Sequence, residues 1–88
     1  MFNFLVALFK IVIYLYEPMK LDRSKLLQLR AKRQWTQKNV AAKAGVSLPT
    51  YHNAENGKDI QVVKAGKIAK ALRVDLEDLE FESVEQGA

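Results

Sequence analysis

The sequence predicts an all-α fold, and two observations support this prediction. Between residues 20 and 79, apolar residues recur at the three- and four-residue spacing of helices, and no segment alternates as a half-buried strand would. Residues that favour the beginnings and ends of helices divide this stretch into short segments: Thr36, Ser47 and Asp75 as N-caps, and Gly45 and Gly57 as helix ends. A chain of 88 residues is long enough for one small domain.

Three helices are predicted in the first part of this domain, at residues 22–33, 37–44 and 48–56. Leu26 and Leu29 lie on one side of the first helix and are expected to face the core. The inward positions of the next two are Val40, Ala41, Ala44, Tyr51 and Ala54. A proline in the first turn of the third helix is tolerated there, because the N–H that it lacks would have no helical partner.

Two more helices are predicted, at residues 61–72 and directly after Asp75. The apolar stripe of the fourth helix consists of Val62, Ala65, Ala69 and Leu72. Gly66 lies inside this helix, where it is expected to cost about 1 kcal/mol relative to alanine. Leu76 and Leu79 are the apolar positions of the fifth helix.

Charge is distributed unevenly along the chain, although the net charge is only +4. Residues 20–45 contain eight basic side chains and one acidic side chain, whereas residues 71–88 contain one basic and six acidic side chains. A strongly basic front favours a polyanionic partner. The absence of cysteine excludes disulfides and thiolate metal sites, and it fits a cytoplasmic protein better than a secreted one.

The first 18 residues differ from the rest, because only Asn3 and Lys10 among residues 1–16 are not apolar. A membrane-spanning helix needs about 20 apolar residues, and a charge at its centre is costly, so a membrane span is not favoured. A secretory signal is also disfavoured, because no basic residue precedes the apolar run. Three alternatives stay open: a reading frame that starts too early, with Met19 as the functional start; an apolar dimerisation or docking arm; and a membrane anchor.

The second and third predicted helices carry a motif with a functional meaning. Two short helices joined by a tight glycine turn allow one helix to cross a DNA backbone while the next enters the major groove. Here the chain runs Gln37-x-x-Val40-Ala41-x-x-Ala44-Gly45-Val46-Ser47, followed by Thr50 and by Glu55-Asn56-Gly57-Lys58. This order resembles the helix-turn-helix of the phage-repressor-like (Cro/C1, or XRE-type) DNA-binding domains.

The flanking segments extend this resemblance to residues 21–79. Leu29-Arg30-x-x-Arg33-x-Trp35-Thr36-Gln37 is similar to the end of that family's first helix, and Ile68-Ala69-Lys70-Ala71-Leu72-x-Val74-x-Leu76-x-x-Leu79 to its fourth and fifth. The resemblance implies a five-helix lambda-repressor-like domain at residues 19–79. Residues 1–18 would then be an apolar N-terminal extension, and residues 80–88 an acidic C-terminal tail.

The resemblance also implies which residues contact DNA: Gln37, Lys38, Leu48, Pro49, Thr50, His52, Asn53, Asn56 and Lys58. Gln37, at a helix N-terminus, would bond a phosphate and hold the recognition helix. Thr50 and Asn53 would contact bases, since an asparagine can pair in a bidentate manner with adenine. His52 is expected to be solvated or adjacent to phosphate, and Asn56 and Lys58 to flank the groove as phosphate contacts.

Other positions have different implied roles. The positive field at the interface is assigned to Arg30, Lys32, Arg33, Lys38 and Lys43, although not all of them can face the duplex at once. Glu55 resembles a structural position. Arg73 stands where the family commonly has a helix-ending glycine. It must therefore either adopt a left-handed conformation or end the helix with a different cap.

These observations predict sequence-specific binding of double-stranded DNA by a cytoplasmic transcriptional repressor that acts as a homodimer. The alternatives are an antitoxin-like module, which binds a protein partner through the N-terminal arm or the acidic tail and autoregulates through DNA, and a membrane-tethered regulator. Catalysis is not expected, because the single histidine, His52, has no cysteine or suitably placed carboxylate beside it. No metal site or cofactor is expected either.

Overall fold

The computed structural model describes residues 2–82, with side chains from Phe4 onwards, and it is mostly helical. The helices are α1 (Phe2–Tyr16), α2 (Arg23–Arg33), α3 (Gln37–Ala44), α4 (Leu48–Glu55), α5 (Val62–Leu72) and α6 (Leu76–Leu79). The all-α prediction is confirmed. The five helices predicted for the domain correspond to α2–α6, and α1 is formed by the apolar N-terminal segment.

The sequence did not predict one local feature, a small antiparallel sheet that pairs β1 (Pro18–Met19) with β2 (Ile60–Gln61). Strands of two residues are too short to produce an alternating pattern, so the sequence contained no signal for them. The sheet joins the segment before α2 to the segment before α5. The predicted boundary between residues 18 and 19 falls within β1, and the division of the chain into domains stays a prediction.

Local interactions determine the start of α3 and the turn between α3 and α4, at the three cap residues that the sequence predicted, Thr36, Gly45 and Ser47. The Thr36 side chain accepts a hydrogen bond from the Asn39 N–H, while the Asn39 side chain accepts one from the Thr36 N–H, so both unpaired donors are satisfied. Gly45 ends α3 in the left-handed conformation, with φ of 76°. Ser47 then caps α4 by accepting from the Thr50 N–H.

Two non-glycine residues, Gln34 and Arg73, also adopt the left-handed conformation, with φ of 57° and 61°. Arg73 therefore takes the first of its two predicted alternatives, and its N–H bonds the carbonyls of Ala69 and Lys70 at the end of α5. This backbone conformation costs an L-residue roughly 1 kcal/mol. Asp75 precedes α6 as predicted, but its side chain makes no capping hydrogen bond.

The core lies between α2, α3, α4, α5 and α6 and includes one large aromatic side chain, Tyr51, which is fully buried. Most of the residues predicted to face inward are buried: Leu26, Val40, Ala41, Ala44, Tyr51, Ala54, Ala65, Ala69, Leu72 and Leu79. Leu29, Val62 and Leu76 are only half-buried. On α5 the buried stripe includes Ile68 as well, because α3 and α6 both pack against this helix.

Helix α1 contrasts with the rest of the fold, because its apolar side chains remain exposed. Between Phe4 and Tyr16 the exposed fractions of its large apolar residues range from 38% at Leu15 to 68% at Phe4. The helix lies near α5, but none of its described side chains joins the core. Among the described residues, no helix combines the length and the apolar character that crossing a membrane requires.

Candidate nucleic-acid interface

Helices α3 and α4 form a helix-turn-helix whose second helix presents most of the predicted base-contacting side chains to solvent. Leu48, Pro49 and Asn53 are exposed along α4, while Thr50 is half-buried. The Thr50 hydroxyl accepts a hydrogen bond of 2.8 Å from the Ser47 hydroxyl. Thr50 is therefore held at the first turn of α4, and the other three side chains point away from the core.

Gln37 lies at the first position of α3 and is hydrogen-bonded to α4 at two points. Its side-chain Nε2 donates to Glu55 Oε1 at 2.6 Å, and its Oε1 lies 3.2 Å from His52 Nδ1. The side chain thus connects the N-terminus of α3 to the middle and the end of α4. Its predicted contact with phosphate stays a prediction.

Asn56 lies directly after α4 and connects this helix to α2. Its Oδ1 accepts a hydrogen bond from the Arg23 guanidinium, and its Nδ2 lies 3.0 Å from His52 Nε2. The sequence did not predict a role for Arg23. Arg23 and Asn56 are 33 positions apart, so no local pattern relates them, and only the packing of α2 against α4 brings them together.

The remaining predicted contacts lie around the same two helices. Lys38 is exposed in the first turn of α3, and Lys58 is exposed after α4, where its backbone N–H bonds the Asn53 carbonyl. A shallow cleft of about 190 Å³ beside α4 is lined in part by Thr50, Asn53 and Lys64. The structure therefore places the predicted site residues on α3, on α4 and in the segment that follows α4.

Behind this surface, Glu55 is 2% exposed and is the acceptor for three side chains. The Arg30 guanidinium bonds both carboxylate oxygens, at 2.8 Å and 3.1 Å, and the Tyr51 hydroxyl donates to Oε2 at 2.8 Å. Gln37 is the third donor. The expectation that Glu55 is structural agrees with this geometry, whereas the assignment of Arg30 to the exposed positive field is wrong, because its charge is paired with a buried carboxylate.

These contacts shift the pKa values of the groups involved. Burial by itself raises the pKa of the Glu55 carboxyl, but the hydrogen bonds from Arg30, Gln37 and Tyr51 outweigh it and lower the pKa below its ordinary value. The hydrogen bond to Glu55 raises the pKa of Arg30. Burial and the same carboxylate raise the pKa of the Tyr51 hydroxyl. Arg30 and Glu55 are therefore both ionised throughout the neutral pH range.

Arg33, another predicted source of positive field, contacts the end of α5 and the Trp35 ring. Its Nη2 donates to the Leu72 carbonyl at 2.7 Å, at the end of α5, and its guanidinium lies 5.5 Å from the centre of the Trp35 ring. Lys43 approaches the same ring, with Nζ at 4.7 Å from its centre. Arg33 thus stabilises a helix end, while Lys32 and Lys38 remain exposed.

Comparison with known proteins assigns the fold to a family. The sequence model of a helix-turn-helix family matches residues 26–79, which include α3, α4 and the helices packed around them. A search of curated proteins found no match. Because the family match covers more than half of the chain, the chain belongs to the Cro/C1-type helix-turn-helix family of DNA-binding transcription regulators.

Proposed function

We propose that this protein is a cytoplasmic repressor that binds a specific double-stranded DNA sequence as a homodimer. The observation that supports this most strongly is the charge of α3 and α4. Glu55 is their only carboxylate, and it is buried and paired with Arg30, so neither helix presents a free negative charge. Their exposed side chains are neutral or basic, as a surface that approaches phosphates requires.

The proposed mechanism has three parts. Exposed basic residues such as Lys38 and Lys58 attract the duplex, and the N-terminus of α3 favours a phosphate. Gln37 and Asn56 then bond phosphates on either side of the groove and determine the register of α4. Within the major groove, the contacts with bases are apolar at Leu48 and Pro49 and hydrogen-bonding at Thr50 and Asn53.

DNA selected from a random pool would supply the site on which this proposal is tested. On that site, Asn53→Ala is expected to weaken binding by about 1 to 3 kcal/mol and to leave binding to unrelated DNA nearly unchanged. Gln28→Ala is a matched control, because Gln28 is an exposed amide on α2 that bonds only Ser24 in the structure. Equal losses on selected and unrelated DNA, or no detectable binding at low salt, would contradict the proposal.

Helix α1 supports the homodimer, because it exposes far more apolar surface than an isolated domain usually does. Its exposed apolar side chains amount to on the order of 1,000 Å² around the helix, whereas the largest exposed apolar patch of a typical monomer is about 300 to 600 Å². The most exposed of them include Leu5, Phe9 and Tyr16, at 61%, 64% and 62%. With Val12 these residues follow one another at four-, three- and four-residue spacing along one side of α1, as a seam between two helices requires.

We infer that the partner at this seam is α1 of a second copy. Light scattering on the full chain is expected to give the mass of a dimer, and Phe9→Glu the mass of a monomer, with Lys10→Glu as a control for the added negative charge. A native monomer would contradict the inference.

Binding of the full chain to lipid vesicles would instead favour the membrane-tethered alternative. A stoichiometric partner lost on deletion of residues 1–18 would favour the antitoxin-like one.

A further inference from the structure

Five side chains from α2, α3 and α4 form a continuous chain of hydrogen bonds across the candidate interface: Arg23, Asn56, His52, Gln37 and Glu55. The links between His52 and its two neighbours measure 3.0 Å to Asn56 Nδ2 and 3.2 Å to Gln37 Oε1. At the two ends, Arg23 donates to Asn56, and Gln37 donates to Glu55 at 2.6 Å. His52 is the central link, and both of its ring nitrogens are engaged.

The two ends determine the direction of every bond in this chain. A guanidinium can only donate, so Asn56 Oδ1 accepts from Arg23 and the Asn56 amide nitrogen donates to His52 Nε2. An ionised carboxylate can only accept, so Gln37 Nε2 donates to Glu55 and Gln37 Oε1 accepts from His52. The imidazole must therefore be neutral, with its proton on Nδ1 and its lone pair on Nε2.

We propose that His52 is a positioning residue, which holds Gln37 through Nδ1 and, only while its imidazole is neutral, holds Asn56 through Nε2 in the geometry for phosphate contact. This inference rests on the proposed function, in which those two amides determine the register of α4. It differs from the sequence prediction, which placed His52 itself against DNA. In the structure His52 lies between the two proposed phosphate contacts and uses both nitrogens to hold them.

A second proton on the imidazole is incompatible with this chain. It would place an N–H on Nε2, facing the amide hydrogens of Asn56, and rotation of that amide would turn the same hydrogens towards Arg23. Either arrangement opposes two donors, so the chain of hydrogen bonds breaks either between Asn56 and His52 or between Asn56 and Arg23. Histidine is the side chain whose charge ordinarily changes between about pH 5 and 8, so pH is the variable that tests this incompatibility.

The charged groups around His52 act on an added proton in opposite directions. Arg23 from α2 opposes the added proton, and Glu55 favours it, although Gln37 intervenes and Arg30 already neutralises that carboxylate. Lys38 on α3 is exposed, Asp59 before β2 is paired with Lys20 at 2.7 Å, and Asp22 before α2 accepts a hydrogen bond from the Lys25 backbone N–H. In the described structure, none of these groups bonds His52.

Protonation of His52 is therefore expected to lower the specificity for one DNA site more than the affinity for DNA in general. A protonated His52 adds a positive charge near phosphates, which sustains binding to any sequence, while the loss of alignment of Asn56 weakens the preference for one site. Discrimination between selected and unrelated DNA is expected to fall about tenfold between pH 8 and pH 5.5, as expected when an interaction of about 1.4 kcal/mol is lost. Because His52 is the only histidine, the change is assignable to one side chain.

Two variants of the full chain separate positioning from a general structural effect. Gln at position 52 is neutral and offers both a donor and an acceptor, so His52→Gln is expected to make discrimination independent of pH. His52→Lys carries a permanent charge and is expected to discriminate poorly at both pH values. A His52→Gln protein whose discrimination still falls tenfold, or a His52→Lys protein that discriminates like the native one at pH 8, would overturn the proposal.

The tautomer provides a test that does not depend on DNA. Nitrogen and carbon NMR signals of the single imidazole are expected to show the proton on Nδ1 at pH 8, and a proton on Nε2 instead would overturn the proposal. Absence of DNA binding by the native chain at pH 8 would count against the proposed function. The NMR result would still decide whether His52 holds the two amides.

Discussion

Arg30 and Glu55 form a bidentate ion pair that joins α2 to the end of α4, although they are 25 positions apart in the sequence. The side chain of Glu55 is 2% exposed and that of Arg30 is 19% exposed, so the pair is largely removed from water. Tyr51 and Gln37 complete the hydrogen bonding of the carboxylate. Helix α4 is thereby attached to the rest of the domain through a buried charge.

Because the ion pair is buried, removing the charge of Glu55 is predicted to have a large effect on the stability of the fold. Glu55→Gln leaves Arg30 without its counter-ion and is expected to lower the free energy of unfolding by about 3 kcal/mol, because a buried ion pair that loses one partner leaves an uncompensated charge. The measurement is denaturant unfolding of the full chain. Asp59→Asn is the matched control, since the Lys20–Asp59 pair is exposed and is expected to contribute less than about 1 kcal/mol. Similar losses in both variants would contradict this account.

The same carboxylate predicts how stability depends on pH. The pKa of Glu55 is lower in the folded protein than its ordinary value of 4.5, so the unfolded chain binds its proton first as the pH falls. The stabilisation is therefore complete above the unfolded value and is lost as the pH falls through the folded one. Unfolding curves between about pH 6 and pH 2 are expected to show this loss in the native protein and a shallower one in Glu55→Gln. Parallel curves would contradict it.

Lys38 is predicted to contribute to DNA affinity through charge alone. Its side chain is exposed in the first turn of α3, so Lys38→Ala is expected to weaken binding to all sequences alike and to reduce the slope of log affinity against log salt by about 1. Lys43 is near the opposite end of α3, against the Trp35 ring, and Lys43→Ala is expected to change the slope less. Fluorescence anisotropy titrations at several salt concentrations provide the slopes. A larger change for Lys43 would contradict the proposed orientation of α3 on DNA.

Replacing Gly66 or Gly45 with alanine is predicted to change the free energy of unfolding in opposite directions. Gly66 lies inside α5, and a Cβ there would meet nothing within 4 Å, so Gly66→Ala is expected to raise the free energy of unfolding by about 1 kcal/mol. Gly45 has equally open space but a φ of +76°, so Gly45→Ala is expected to lower it by about 1 kcal/mol. Because neither substitution creates a clash, the difference isolates the effect of backbone conformation. Thermal unfolding of both variants measures it.

Much of the fold could be predicted because it depends on neighbours in the chain. Thr36 and Ser47 mark the starts of two helices through hydrogen bonds that span three residues, and Gly45 ends one of them. Local cap signals did not decide the backbone conformation of Arg73. Its left-handed conformation was one of two predicted alternatives, and only the structure shows which one it adopts.

The candidate site was predicted less completely, for a related reason. Periodicity and motif indicated which residues of α4 are exposed, but they contained no information on which side chains meet across helices. Arg30 was therefore assigned to the exposed positive field, and Arg23 was assigned no role. Their partners, Glu55 and Asn56, lie 25 and 33 positions away.

The sequence by itself determined the all-α class, the bounds of α2–α5 to within a residue, and the helix-turn-helix, because apolar spacing, caps and a glycine turn act over three or four residues. Only the tertiary structure decided that the Glu55 charge is hidden, that β1 pairs with β2, and that His52 lies between Gln37 and Asn56. Such relationships depend on how helices pack against one another. Packing joins residues that are distant in the chain, and no local pattern encodes the pairs that it brings together.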